Sequence, residues 1–218
     1  MEENGLNIFR APARDCDAEF TVKRSRFIGS ARICLSADEA AEMIKKFPLL
    51  YPKSHQHCWA YRIGTSAPLE HSSDAGEPAG SAGRPILGAI KRHELTNTLI
   101  VVTRYFGGIK LGVRGLIDAY KKAAELAIEA AGAAEKEFNN TLLLRCGYDY
   151  SKTLTTALHK WGFTESRVSV EYGADVTAHL EVPLSKRAEI EAPLSEMAGR
   201  GFLTEVAWGD APLVRDKW

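Results

Sequence analysis

The chain has 218 residues, 45% of them apolar and 26% charged, the balance of an ordinary globular protein with enough length for one large core or two small ones. Its formal net charge is zero, so no global basic field points to nucleic acid, and its four cysteines (Cys16, Cys34, Cys58, Cys146) lie too far apart to suggest a structural zinc site. The opening "MEENGLNIFRAPARD" is acidic and broken by charges, and no apolar run approaches the roughly 18 residues that span a bilayer, so a reduced, soluble, cytoplasmic protein without a membrane partner is expected.

From Phe20 to Cys34 the pattern is strand-like but interrupted by "KRSR", which predicts two short strands. Ser36 and Glu39 form a capping box that opens a helix, with Met43, Ile44 and Phe47 on its apolar face and Pro48 expected to close it. "HQHCWAYRI" (55–63) alternates as a strand does. The stretch "HSSDAGEPAGSAGRP" (71–85), read as a loop, packs turn formers and small residues around the acid pair Asp74 and Glu77. Pro85 suits the first turn of a short helix, "PILGAIKRHEL". "TLIVVTRYF" (98–106) reads as a buried strand and "GGIKLGVRG" as a loop. Leu116, Tyr120, Ala123, Ala127 and Ala130 then recur at helical spacing until Gly132.

A second unit is expected from about Phe138, after the short linker "GAAEKEF". It reads as strand ("FNNTLLLRCGY"), helix ("DYSKTLTTALHKWG"), strand ("TESRVSVEYGA"), strand ("DVTAHLEVPL"), helix ("SKRAEIEAPLSEMAGRG") and strand ("FLTEVAW"). That order, β-α-β-β-α-β, is the ferredoxin-like pattern, although Pro193 blurs where its second helix runs. The expected architecture is therefore α+β, with domains at 1–135 and 136–218.

Nucleotide signatures are missing. Neither glycine cluster completes a Walker loop or a G-x-G-x-x-G turn, and no G-x-S-x-G elbow is present, so no cofactor is implied. Two G-x-x-G pieces remain, "GSAG" (80–83) and "GVRG" (112–115), each beside a predicted helix whose free N–H groups could hold a phosphate. His55 and His57 fall on one face of a strand, and with Asp74 or Glu77 they could form a metal or acid/base site. The same side chains could equally hold the "DAGEP" turn by local hydrogen bonds. With one acid pair and no tight ligand motif, no metal is expected.

Charge is uneven along the chain. Between Arg84 and Lys122 eight basic residues face two acids, and Lys23, Arg24, Arg26 and Arg32 form a second cluster without an intervening acid. Cations interleaved with an aromatic suit an RNA backbone and an unstacked base. The candidate nucleic-acid contacts are Lys23, Arg24, Arg26, Arg84, Arg104, Tyr105, Lys110, Arg114 and Lys121; no DNA sequence specificity is expected. A solvated basic face, or a basic surface for an acidic protein, is the competing reading.

"GEPAGSAGRPIL" followed by "VVTRYFGGIKLGVRGLIDAYKKAA", with "VKRSRFIGSA" and "HCWAYRIG" before them, closely resembles the signature of the YigZ/IMPACT family. The likeness covers about residues 18 to 132, and residues 139 to 208 look like the smaller C-terminal domain of the bacterial members. It implies a first domain with the fold of domain IV of elongation factor G and a second like that factor's domain V. It also implies a role near translation: the eukaryotic relatives regulate the amino-acid-starvation response through a protein partner of a kinase. They use an additional N-terminal domain not found in these 218 residues, so that partner is not carried over.

Three positions depart from the family pattern. Ala75 stands where a second acid is common, Ser81 where threonine is usual, and Arg114 where a small residue is. Loss of the acid weakens the metal and acid/base readings, while Arg114 adds charge to the loop. The expectation is a non-catalytic RNA- or ribosome-binding protein, with Asp74, Gly76, Glu77, Pro78, Gly80 and Gly83 shaping a rigid loop. The alternatives are a small hydrolase acting at His57, Asp74 and Glu77, and a purely protein-binding regulator.

Overall fold

The computed structural model describes residues 7–164, 167–210 and 212–217. The chain divides into two compact units, Met1–Lys136 and Glu137–Trp218.

In the first unit, strands β2 (Cys16–Val22), β3 (Ser25–Ile33), β4 (Gln56–Ile63), β5 (Leu69–Ser73) and β6 (Thr98–Tyr105) form one antiparallel sheet in the order β2-β3-β6-β4-β5. A further strand, β1 (Ile8–Pro12), precedes it. Alternation along the strands sends successive side chains to opposite faces. Phe27, Ala31, Cys58, Ala60, Ile100 and Val102 point to the face covered by helices α2 (Gly83–Arg92) and α3 (Gly112–Ala131). Tyr61, Ile63, Leu99 and Val101 point to the other, against Ala40 and Phe47 of α1 (Ala37–Leu50). The result is three layers with the sheet in the middle, which explains why β6 is apolar on both sides. Gly29 lets α3 lie close on β3: a Cβ there would stand 2.2 Å from the Ala123 carbonyl oxygen.

The predicted break at "KRSR" is a two-residue hairpin turn. Val22 faces Ser25, and Lys23 and Arg24 carry φ of 44° and 62°, as a type I′ turn requires at both central positions. The capping box is present in a variant form. Ser36 Oγ accepts from the Glu39 N–H at 3.1 Å, while Glu39 Oε2 accepts from the Leu35 N–H at 2.7 Å rather than from Ser36. Pro48 does not close α1 where expected. It lacks the N–H that would reach Ile44, but the helix continues to Leu50 and Tyr51 still donates to the Phe47 carbonyl at 2.9 Å.

In the second unit, the chain crosses the division in β7 (Ala133–Cys146), so all of "GAAEKEF" after Gly132, the C-cap of α3, is strand rather than linker. Then come α4 (Ser151–Lys160), β8 (Val168–Tyr172), β9 (Val176–Pro183), α5 (Leu184–Gly199) and β10 (Glu205–Trp208), which is the β-α-β-β-α-β order. The strands lie in the order β10-β7-β9-β8 and all pair antiparallel. Leu142, Leu144, Ala178 and Leu180 pack with Leu154, Leu158, Ile190 and Leu194 of the helices. α5 runs on past Pro193, and β11 (Leu213–Asp216) adds a further partner to β7. Among the described residues no helix is long and apolar enough to cross a membrane.

Candidate functional site

The glycine-rich segment is not all loop. Its first residues, His71 to Ser73, end strand β5, paired with β4. From Asp74 the chain turns back through Ala75 (φ 44°) and Gly76 (φ 94°), and Glu77 N–H donates to the Asp74 carbonyl at 2.9 Å. Pro78 O accepts both the N–H of Ser81 at 3.0 Å and its hydroxyl at 2.6 Å.

Asp74 organises the rest. Its Oδ2 accepts from Gly80 N–H at 2.8 Å, and its Oδ1 accepts from Ala82 N–H at 2.9 Å and Gly83 N–H at 2.8 Å. Burial raises the pKa of this carboxyl, but the three amide donors and nearby Arg84 outweigh it, so Asp74 sits below its ordinary value. Three of the four amides of "GSAG" that could have cradled a phosphate are therefore filled by the protein's own carboxylate, and the fourth, Ser81 N–H, by the Pro78 carbonyl. Gly83 is required here for space: a Cβ would come within 2.8 Å of the Ser73 backbone nitrogen.

Glu77 points inward. Its Oε1 accepts from Arg104 Nη1 at 2.5 Å and from the Tyr120 hydroxyl at 2.8 Å, and the two ionic side chains are only 6% and 7% exposed. Arg104 Nη2 also reaches Ser25 Oγ at 3.4 Å, and its guanidinium lies over the Phe27 and Phe106 rings at 5.4 and 5.3 Å. Beside this network Cys58 donates to the Asp74 carbonyl at 2.9 Å. Burial is the main cause that pushes the Cys58 thiol up to about 12 and raises the Tyr120 hydroxyl as well. Neither is a nucleophile at neutral pH.

His57 takes no part in this. Its Nδ1 pairs with Thr103 Oγ1 at 2.9 Å and its Nε2 with Ser54 Oγ at 2.8 Å, and burial holds its pKa below the ordinary value. Thr103 and Arg104 are adjacent in β6 and so point to opposite faces of the sheet. The structure thus separates His57 from the Asp74–Glu77 loop by the sheet itself, and the constellation needed by the hydrolase reading is not assembled. Among the described residues no three His, Cys, Asp or Glu side chains group as a metal's ligands would.

The candidate RNA contacts divide into two sets. Arg104 is not on the surface: it is buried in the ion pair with Glu77. Arg26 is paired with Glu19 at 2.6 Å and Lys121 lies 3.9 Å from Glu125; Arg32, which belongs to the second basic cluster but not to the candidate contacts, is paired with Asp17 at 2.6 Å. Tyr105 is partly buried, with the Arg26 guanidinium 5.5 Å from its ring centre and its hydroxyl donating to Pro52 O at 3.3 Å. By contrast Lys23, Arg24, Arg84, Lys110 and Arg114 are exposed and form no salt bridge among the described residues.

Lys23 and Arg24 form the tip of the β2–β3 hairpin, and the Gly107 backbone lies directly against Arg24, three residues before Lys110. "GVRG" is the first turn of α3, not loop. It has no side-chain cap and no acid, so its N–H groups and dipole add to the positive field of Lys110 and Arg114. Sequence reasoning misses Phe106, 39% exposed at this end, because it counts the residue as the end of a buried strand.

The Impact N-terminal domain family profile matches residues 23–128. IMPACT family member YvyE of Bacillus subtilis (strain 168) is 31% identical over 163 residues, covering 75% of each chain. IMPACT family member YigZ of Escherichia coli (strain K12) is 29% identical over 199 residues, covering 90% of this chain and 96% of the relative. A crystal structure of a hypothetical protein superposes with a TM-score of 0.63 at 27% identity, over 91% of this chain and 96% of that one.

Proposed function

From the premise that the chain belongs to the IMPACT family, we propose that it is a non-catalytic protein of the translation apparatus that binds RNA, as free RNA or on the ribosome, and regulates translation. The observation that carries this reading is the set of uncompensated cations at one end of the first unit. Among the described residues Lys23, Arg24, Lys110 and Arg114 stand exposed without a salt bridge, beside a helix N-terminus that has no side-chain cap and no acid in its first turn, whereas Arg26, Arg32 and Arg92 are each paired with a carboxylate. Side chains left in that state favour phosphates. The family resemblance implies a first unit like domain IV of elongation factor G and a second like its domain V, and that implication favours translation as the setting.

The test is binding to ribosomes and to single-stranded model RNAs across a range of salt. Replacing Lys23, Arg24, Lys110 and Arg114 with Ala should weaken binding to all sequences alike and flatten the salt slope by about 0.7 for each phosphate no longer neutralised. A folded fourfold variant with unchanged affinity would overturn the proposal.

A further inference from the structure

The structure assigns Phe106 as a stacking platform for an unpaired base of single-stranded RNA, an inference that rests on the RNA-binding reading above and names the form of RNA it takes. Tyr105, the aromatic residue that the spacing of cations favours, is partly buried and its hydroxyl is tied to Pro52 O at 3.3 Å. Phe106 is the ring that remains, 39% exposed.

The ring is fixed before any ligand arrives. Its backbone N–H donates to His55 Nδ1 at 3.1 Å, and the His55 ring meets it edge-on with centroids 6.2 Å apart. The Arg104 guanidinium lies 5.3 Å from its centroid and is itself held by Glu77. Little conformational entropy is left for binding to remove. A cation against a ring also offsets part of the negative charge of its π-face, which suits stacking on a base.

The surroundings select the ligand. On the chain side Gly107 brings the hairpin tip with Lys23 and Arg24 against the segment that begins at Phe106, and Lys110 and Arg114 follow it. A lone half-exposed phenylalanine needs no explanation on an ordinary surface. Here it is held among cations that form no salt bridge among the described residues, which is the composition of a single-strand site: backbone charge neutralised at the rim, a base stacked at the centre. A duplex keeps its bases stacked on one another and offers this ring nothing.

The experiment measures anisotropy of three labelled RNAs of equal phosphate number: a single-stranded uridine oligomer, an abasic oligomer and a duplex. Phe106→Ala should weaken the uridine oligomer by about 5- to 150-fold and leave the abasic oligomer and the duplex unchanged, while Phe106→Trp restores the loss. Equal weakening of all three probes, or no weakening of any, overturns the stacking role while leaving RNA binding in place. Wild-type protein that binds none of the RNAs at low salt but captures poly-glutamate would overturn the RNA reading itself, and the stacking role with it.

Discussion

Replacing Glu77 separates a structural role for the acid pair from a chemical one. Glu77→Ala removes the carboxylate that neutralises Arg104 and accepts from Tyr120, both in an environment where the ionic side chains are 6% and 7% exposed. Breaking a buried ion pair from one side costs about 3–5 kcal/mol, because the remaining charge stays desolvated. The stranded Tyr120 hydroxyl adds to this, and water entering the vacated space takes some of it back. The expected net loss is about 3–5 kcal/mol in the first unit. Native-state hydrogen exchange at the buried amides of Val101 and Val102 in β6 reads that unit directly, without interference from the second. The double variant Glu77→Leu/Arg104→Met should lose much less than Glu77→Ala, because no charge is left unpaired. A loss below about 1 kcal/mol for Glu77→Ala, the size of an exposed pair, would refute the argument that this loop is held together from within.

Two further outcomes follow from the same geometry. Asp74 has a depressed pKa in the folded state, so its contribution is complete above its unfolded value near 3.8 and is lost as pH falls through the lower folded value. The stability gap between wild type and Asp74→Asn, from urea midpoints, should be constant from about pH 7 to about pH 5 and shrink below about pH 4; a constant gap down to about pH 2 would contradict it. At the hairpin tip, Lys23→Asn/Arg24→Gly should raise stability by about 1 kcal/mol, since both positions have positive φ, while weakening RNA binding. Thermal unfolding at an unchanged or lower midpoint would show that the turn carries no strain.

Much of the first unit was legible because its elements obey strong periodicities. β6 is a continuous apolar run and α3 repeats its apolar residues at helical spacing. β5 was not legible: "LEHSS" is a polar edge strand, and its pairing to β4 is set by the partner rather than by its own pattern. β1 and β11 are short for the same kind of reading. The loop-shaping role of Asp74 and Glu77 was visible in the turn chemistry, but which groups they bind was not. Sequence proximity put His57 in their company, and only the strand register shows that alternation turns it to the other face. Charge alone points Arg104 to the surface, because it does not reveal burial. Its neighbours Thr103 and Val102 carried the signal, since a residue in the middle of a sheet covered on both faces has no route to solvent.

The burial of Arg104 then needs a reason of its own. An apolar pair of similar volume is often as stable as a buried ion pair, so stability alone does not account for a charged residue in β6. What an apolar pair cannot do is reach outward in three directions at once. Arg104 joins Glu77 of the glycine-rich loop, Ser25 at the base of the hairpin, and the ring of Phe106. Ser25 in turn accepts from the Gly107 N–H at 3.2 Å. One guanidinium therefore fixes the loop, the hairpin and the exposed ring relative to one another, and it does so with directional bonds rather than with packing alone. The charge that the sequence offered as a phosphate contact acts one layer deeper, holding in place the surface on which the unpaired cations stand.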